Sequence, residues 1–187
     1  MNFHRAAFLD SMAYVAYNML LFYIMEVSEL DITFKTEAGR FNYRVCAMII
    51  RDGKILAMQD RNSPYYYLPG GRVRLHETAE DAVLREVRVE LEIDARIDRA
   101  LWLNQGFFTE DVTGEKFHEI CLYFLMDISG TGLEKSGEQF VMIEGEKWHE
   151  FRWLEFSRLK DEYFYPVFLK EKIRNLPKEL TLIADYE

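Results

Sequence analysis

The spacing of apolar and polar residues changes character along the chain, and each change predicts an element. From Ser11 to Met25, 15 residues carry no formal charge, bounded by Asp10 and Glu26. That run is shorter than the roughly 20 residues needed to cross a bilayer. Asp10 and the lack of a small-residue cleavage site argue against a signal peptide. The run predicts a helix packed on the domain or on a partner. A membrane-surface helix fits less well, because the basic residues that anchor such helices are mostly missing. Met25 is an alternative start of the chain.

From Leu30 the pattern turns to β. Asp31–Glu37 alternates, with a turn at Glu37 to Gly39, and Arg44–Ile50 is a continuous apolar run, as a strand covered on both faces would be. Asp52-Gly53 signals a hairpin into Lys54–Asp60, and Pro69-Gly70-Gly71 signals a sharp backbone feature. Helical spacing runs from Thr78 to Leu91, with Asp81 completing a capping box. Long strands are predicted over Asp94–Phe108 and Phe117–Asp127 around a loop from Thr109 to Lys116. An irregular connection is expected over 129–147, a strand over Phe151–Phe156, and a helix over Pro166–Leu176 opened by its proline. Strands alternating with helices give an α/β fold with a layered, mixed sheet. No repeat or linker divides the chain, so it reads as an N-terminal extension, 1–30, and one domain, 31–187.

The helix carries the chemistry. At about 100° per residue, Ala79, Ala82, Val83 and Val87 define its buried arc, and Glu86 and Glu90 project into the middle of that arc, one turn apart. Burial and mutual repulsion both disfavour two inward carboxylates. A hard divalent cation such as magnesium or manganese is the simplest compensation, and emergence of the helix end into solvent is the plain alternative. Gly70-Gly71, ahead of the helix, lets backbone approach a ligand with no Cβ in the way.

Overall charge narrows the ligand. The 32 acidic residues outnumber 23 basic ones, for a formal charge of −9, which repels nucleic-acid backbones. Cys46 and Cys121 sit in apolar runs without zinc-ligand spacing, as packed free thiols of a reducing, cytoplasmic setting. His118 and His149 lack partners at diagnostic spacing, and no Ser-His-Asp arrangement is evident.

Gly71, five residues, Glu77, seven residues, then Arg85-Glu86-Val87 with Glu90 following resembles the Nudix box, and Leu68-Pro69-Gly70-Gly71 resembles its usual lead-in. The box spans Gly71 to Ile93. The resemblance implies a Nudix-type α/β/α sandwich with a mixed central sheet. It implies a hydrolase that uses Mg2+ or Mn2+ to cut the pyrophosphate of a nucleoside diphosphate linked to another moiety. Glu86 and Glu90 would be metal ligands together with the Gly70 carbonyl, while Glu77 and Arg85 would pair to hold loop and helix in register. Val89 stands where the family has the first of two adjacent glutamates, Glu92 replaces a glycine, and His76 occupies a place often held by glycine. The missing carboxylate implies a diminished metal load, and its loss also admits a catalytically weak or inactive nucleotide-binding module.

Other residues complete the expected site. Glu86 is a candidate base, and distant alternatives are Glu119, Glu144, Glu146 and Glu150, with Glu150 preferred. Arg44, Arg61 and Arg72 are the candidate phosphate contacts. Tyr65, Trp102, Phe107 and Phe108 offer stacking faces for a base, although single rings in so aromatic a chain read first as core. A small nucleotide is the expected partner, with no nucleic acid and no membrane span, and a homodimer is compatible with the family.

Overall fold

A computed structural model describes residues 30–145 and 147–187. The readings for the extension up to residue 29, including the Ser11–Met25 helix and the Met25 start, lie outside the described residues, as does Glu146. Among the described residues ten strands form two sheets. In the first, β1 (Thr33–Thr36), β2 (Gly39–Met48), β7 (Lys116–Asp127), β6 (Arg96–Thr109) and β10 (Thr181–Tyr186) lie side by side, and β5 (Gly70–Arg72) adds to β2. This sheet is mixed: β2 runs parallel to β7 and β6 parallel to β10, while β1, β5 and the β6–β7 hairpin pair antiparallel. In the second, β3 (Ile50–Arg51), β4 (Lys54–Asp60), β9 (Lys147–Glu155) and β8 (Gln139–Glu144) are antiparallel throughout.

The continuous apolar run of β2 is buried on both faces. Val45, Ala47 and Ile49 point toward α1 (Ala79–Leu91), where they pack with Val83, Val87, Phe124 and Phe151. Cys46 and Met48 point the other way, onto Trp102, Tyr123 and the segment carrying Leu159, Phe164, Phe168 and Leu169. Asp52 (φ 49°) and Gly53 (φ 74°) make the left-handed turn of the β3–β4 hairpin. At the start of α1 the Thr78 Oγ1 accepts from the Asp81 amide at 3.1 Å and donates to the Asp81 carboxylate at 2.7 Å, so Thr78 caps the helix and Asp81 holds the cap through its hydroxyl rather than its backbone amide.

Three expectations change. The Pro166–Leu176 helix shrinks to a single turn, α2 (Leu169–Lys172). Around it the amides of Leu169, Lys170 and Asn175 bond back three residues, so the segment is a string of turns pinned by its buried Phe168, Leu169 and Ile173. The 129–147 connection contains β8, whose Phe140 and Met142 pack on the α1 core while Val141 and Ile143 are exposed. That alternation was hidden by flanking glycines. The third change is β10, a strand gained by parallel pairing with β6.

Candidate active site

Two tight backbone placements build the site. Gly70 has φ 146°, and a Cβ there would meet the Val45 carbonyl oxygen at 2.2 Å, so β5 lies against β2 as only glycine permits. Its amide donates to Glu90 Oε2 at 2.9 Å. At Gly71 a Cβ would meet Glu86 Oε1 at 2.1 Å, so the Glu86 carboxylate occupies the space that a side chain would fill. Glu86 and Glu90, one turn apart on α1, thus converge on two consecutive glycines. Glu90 is buried, and the Glu86 side chain is 15 % exposed.

Arg85 locks the loop to the helix. Its Nε and Nη2 donate to Glu77 Oε1 and Oε2 at 2.6 and 2.9 Å, its Nη2 also reaches the Arg72 carbonyl at 3.0 Å, and its Nη1 reaches Glu86 Oε1 at 2.5 Å. Glu77 Oε2 in addition accepts from the Arg74 amide at 2.9 Å. Burial pushes the Glu77 carboxyl up, but the bonds from Arg85 and the Arg74 amide outweigh it and hold the group below the ordinary glutamate value.

The departures from the box pattern have structural readings. Val89 is exposed on α1. Glu92 caps the helix in the left-handed region, φ 55° and ψ 34°, with its amide on the Arg88 carbonyl at 3.1 Å. His76 is left-handed as well, at φ 67°. Both residues therefore occupy conformations that glycine adopts at least cost.

The described residues bring together only part of the expected set. Arg44 and Arg72 are cross-strand neighbours on β2 and β5. Arg72 Nε donates to Asn42 Oδ1 at 3.1 Å, Asn42 Nδ2 donates to Glu119 Oε2 at 3.3 Å, and Arg44 lies 3.8 Å from the same carboxylate. Burial pushes the Glu119 carboxyl up despite Arg44 and the Asn42 bond. Sequence reading missed Asn42, a buried polar residue inside a strand, whose register opposite Glu119 arises only in the fold. Arg61 is exposed in a turn after β4. Glu150 meets the Tyr66 hydroxyl at 3.4 Å; it alternates along β9 with Phe151, which packs beneath α1, and so faces away from that helix. Trp102 is core, edge-on to Tyr123 and Phe168. Tyr65 donates to Glu110 at 2.8 Å, and Phe107 and Phe108 stack on His118 and Phe117. Tyr67, also missed, donates to Asp60 at 2.9 Å just ahead of the glycines. Cys46 and Cys121 are buried free thiols.

The donor set suits a hard divalent cation: two carboxylates and a peptide segment bare of side chains. Among the described residues no third aspartate, glutamate, histidine or cysteine joins them as a ready metal cluster.

A loop–helix unit of this kind at the edge of a mixed sheet defines the NUDIX domain, whose family profile matches residues 40–172. The chain belongs to that family. It is 32% identical over 97 residues to an ADP-ribose pyrophosphatase of Methanocaldococcus jannaschii, a match covering 50% of this chain and 54% of that protein. The chain thus spans about half the length of this curated relative. In fold it resembles an ADP-ribose pyrophosphatase from Streptococcus suis (TM-score 0.51, 14% identity, 77% of this chain and 98% of that one). It also resembles a UDP-X diphosphatase (TM-score 0.51, 17% identity, 91% and 78%).

Proposed function

We propose that the protein is a metal-dependent hydrolase that cleaves the pyrophosphate bond of a nucleoside diphosphate linked to another moiety. The observation that carries the reading is the convergence of Glu86 and Glu90 on Gly70-Gly71, where a Cβ would collide with the Glu86 carboxylate. Glu86, Glu90 and the Gly70 carbonyl would hold Mg2+ or Mn2+. The ion would supply charge to neutralise non-bridging phosphate oxygens and would lower the pKa of a water. The Glu77–Arg85 pair keeps loop and helix in register, and Glu86 accepts the proton of the attacking water. Arg44 and Arg72, side by side on the sheet, supply the positive charge that a diphosphate needs on this acidic protein. Glu150, as a base, and Arg61, as a phosphate contact, are the remaining candidates. The name of the M. jannaschii relative makes ADP-ribose the first substrate to try. Two buried free thiols support a cytoplasmic setting.

A second reading, a nucleotide-binding module with little or no turnover, is favoured by one observation: Arg85 already neutralises Glu86 at 2.5 Å, and exposed Val89 supplies no replacement carboxylate. The deciding experiment is product release from ADP-ribose and other nucleoside diphosphate derivatives with magnesium and with manganese, with Glu86→Gln as control. Turnover that disappears in Glu86→Gln and on chelation supports the enzyme. Nucleotide binding without product, from the folded wild-type chain in either metal, supports the module.

A further inference from the structure

Among the described residues, no element covers one apolar face of the first sheet. Phe34, Phe41, His118, Phe107 and Tyr186 stand in register on β1, β2, β7, β6 and β10, so one row of rings crosses five adjacent strands. Their rings touch in sequence: 5.1 Å between Phe34 and Phe41, 5.6 Å from Phe41 to His118, 4.5 Å from His118 to Phe107, and 4.9 Å from Phe107 to Tyr186. Phe41 lies four residues before Val45, which packs beneath α1, so the row is on the α1 side of the sheet. The helix stops short of it. Phe34 is 59%, Tyr186 78% and Leu182 70% exposed, the last opposite Leu103 on the same face. Contiguous exposed apolar surface of this kind marks a binding face.

We propose that residues 11–25 of this same chain dock across that row. Those 15 uncharged residues enter the described structure through Leu30, itself 58% exposed and three residues before β1, which carries the first ring of the row. Lengths agree. Five strands put four gaps of about 4.8 Å, or about 19 Å, between the outer rings, and 15 residues reach about 22 Å even at the shortest regular rise of about 1.5 Å per residue. The linker of Glu26 to Asp31 is short enough to hold the segment close to this face. A segment apolar on nearly every side requires an apolar surface in return.

The test uses the full chain with Tyr17→Cys and Leu182→Cys, oxidised at high dilution and mapped by mass spectrometry after proteolysis, with each single variant as control. The expected result is an intrachain 17–182 crosslink on a monomer. In parallel, a chain beginning at Met25 should bind an apolar fluorescent dye several-fold more than the full chain, and Leu182→Glu in the full chain should expose residues 11–25 to protease. If the crosslink forms only between chains, a second copy covers the face and the proposal falls. It falls equally if no crosslink forms while the full chain co-sediments with anionic vesicles through residues 11–25, or if no crosslink forms and dye binding is the same with and without the segment. Should the shortened chain fail to fold, the crosslink decides alone.

Discussion

Two adjacent glycines should respond in opposite ways to the same added methyl group. At Gly70 the obstacle is backbone: a Cβ would meet the Val45 carbonyl oxygen at 2.2 Å and the Cys46 Cα at 2.9 Å, at φ 146°. The conformational strain alone is about 1–3 kcal/mol, and overpacking against a core strand adds about 1–3 kcal/mol. Gly70→Ala should therefore lower stability by about 2–6 kcal/mol, and for a chain of this size the melting temperature by on the order of 10 °C. At Gly71 the obstacle is the end of a flexible side chain, Glu86 Oε1 at 2.1 Å, and the backbone is not left-handed. Turning that carboxylate aside costs about 0.5–1.5 kcal/mol. The reduced freedom of the unfolded chain returns about 0.4–1 kcal/mol, so Gly71→Ala should melt within about 1 kcal/mol of wild type. Its loss should appear in function: a displaced ligand carboxylate costs on the order of 100-fold in turnover, with a parallel fall in manganese affinity. Urea denaturation at neutral pH reads the first quantity, and manganese titration with product release reads the second. Equal destabilisation by the two variants, or a Gly71→Ala protein with wild-type metal binding and turnover, would refute the placement of Glu86 against the loop.

Arg85→Ala removes both guanidinium donors to the Glu77 carboxylate and leaves it the Arg74 amide, and with 15 and 21% of the two side chains exposed it should cost about 1–3 kcal/mol at pH 7. Because the folded Glu77 carboxyl lies below its unfolded value, that stabilisation is complete above the unfolded pKa of about 4.3 and fades as pH falls through the folded one. Denaturation of wild type and variant should accordingly converge in acid and diverge near neutrality. Glu92→Gly should raise stability by about 0.5–1 kcal/mol in thermal melts, because the C-cap is left-handed. Val89→Glu, on an exposed turn of α1, should raise affinity for magnesium or manganese several-fold in calorimetry and leave the melting temperature within a few degrees; unchanged affinity would separate position 89 from the metal.

What was legible in the sequence was whatever depends on neighbours in the chain. Thr78 and Asp81 cap α1 three residues apart, Asp52-Gly53 turns a hairpin, and Glu86 and Glu90 share a helical face through spacing alone. What was hidden depends on partners far along the chain. Asn42 meets Glu119 because β2 runs parallel to β7, a pairing across 77 residues. Thr181–Tyr186 becomes a strand because β6 offers an open edge, and its own alternation is weak, with Leu182 and Tyr186 exposed and Ile183 half-buried. Glu150 illustrates the same gap within one element: its place before an apolar strand was readable, but the face it takes is fixed by Phe151 packing under α1.

The departures from the box pattern fall where the fold can absorb them, and the reason is a single chain of hydrogen bonds. It begins at the Arg74 amide, passes through Glu77 to Arg85, and from Arg85 to the Arg72 carbonyl and the Glu86 carboxylate. From the Arg72 guanidinium it continues to Asn42 and on to Glu119 on β7. Arg72 is thus held by its backbone to the helix and by its side chain to the sheet, so the three residues of β5 cannot shift without breaking contacts on both sides. Glu86 and Glu90 inherit their positions from this chain. Val89 and Glu92 stand outside it, one exposed and the other beyond the last turn of α1, and neither bonds to the loop. Substitution at those two positions therefore alters charge and local strain while leaving the geometry of the two carboxylates intact, and for that reason metal affinity is the property in which the altered box should first differ.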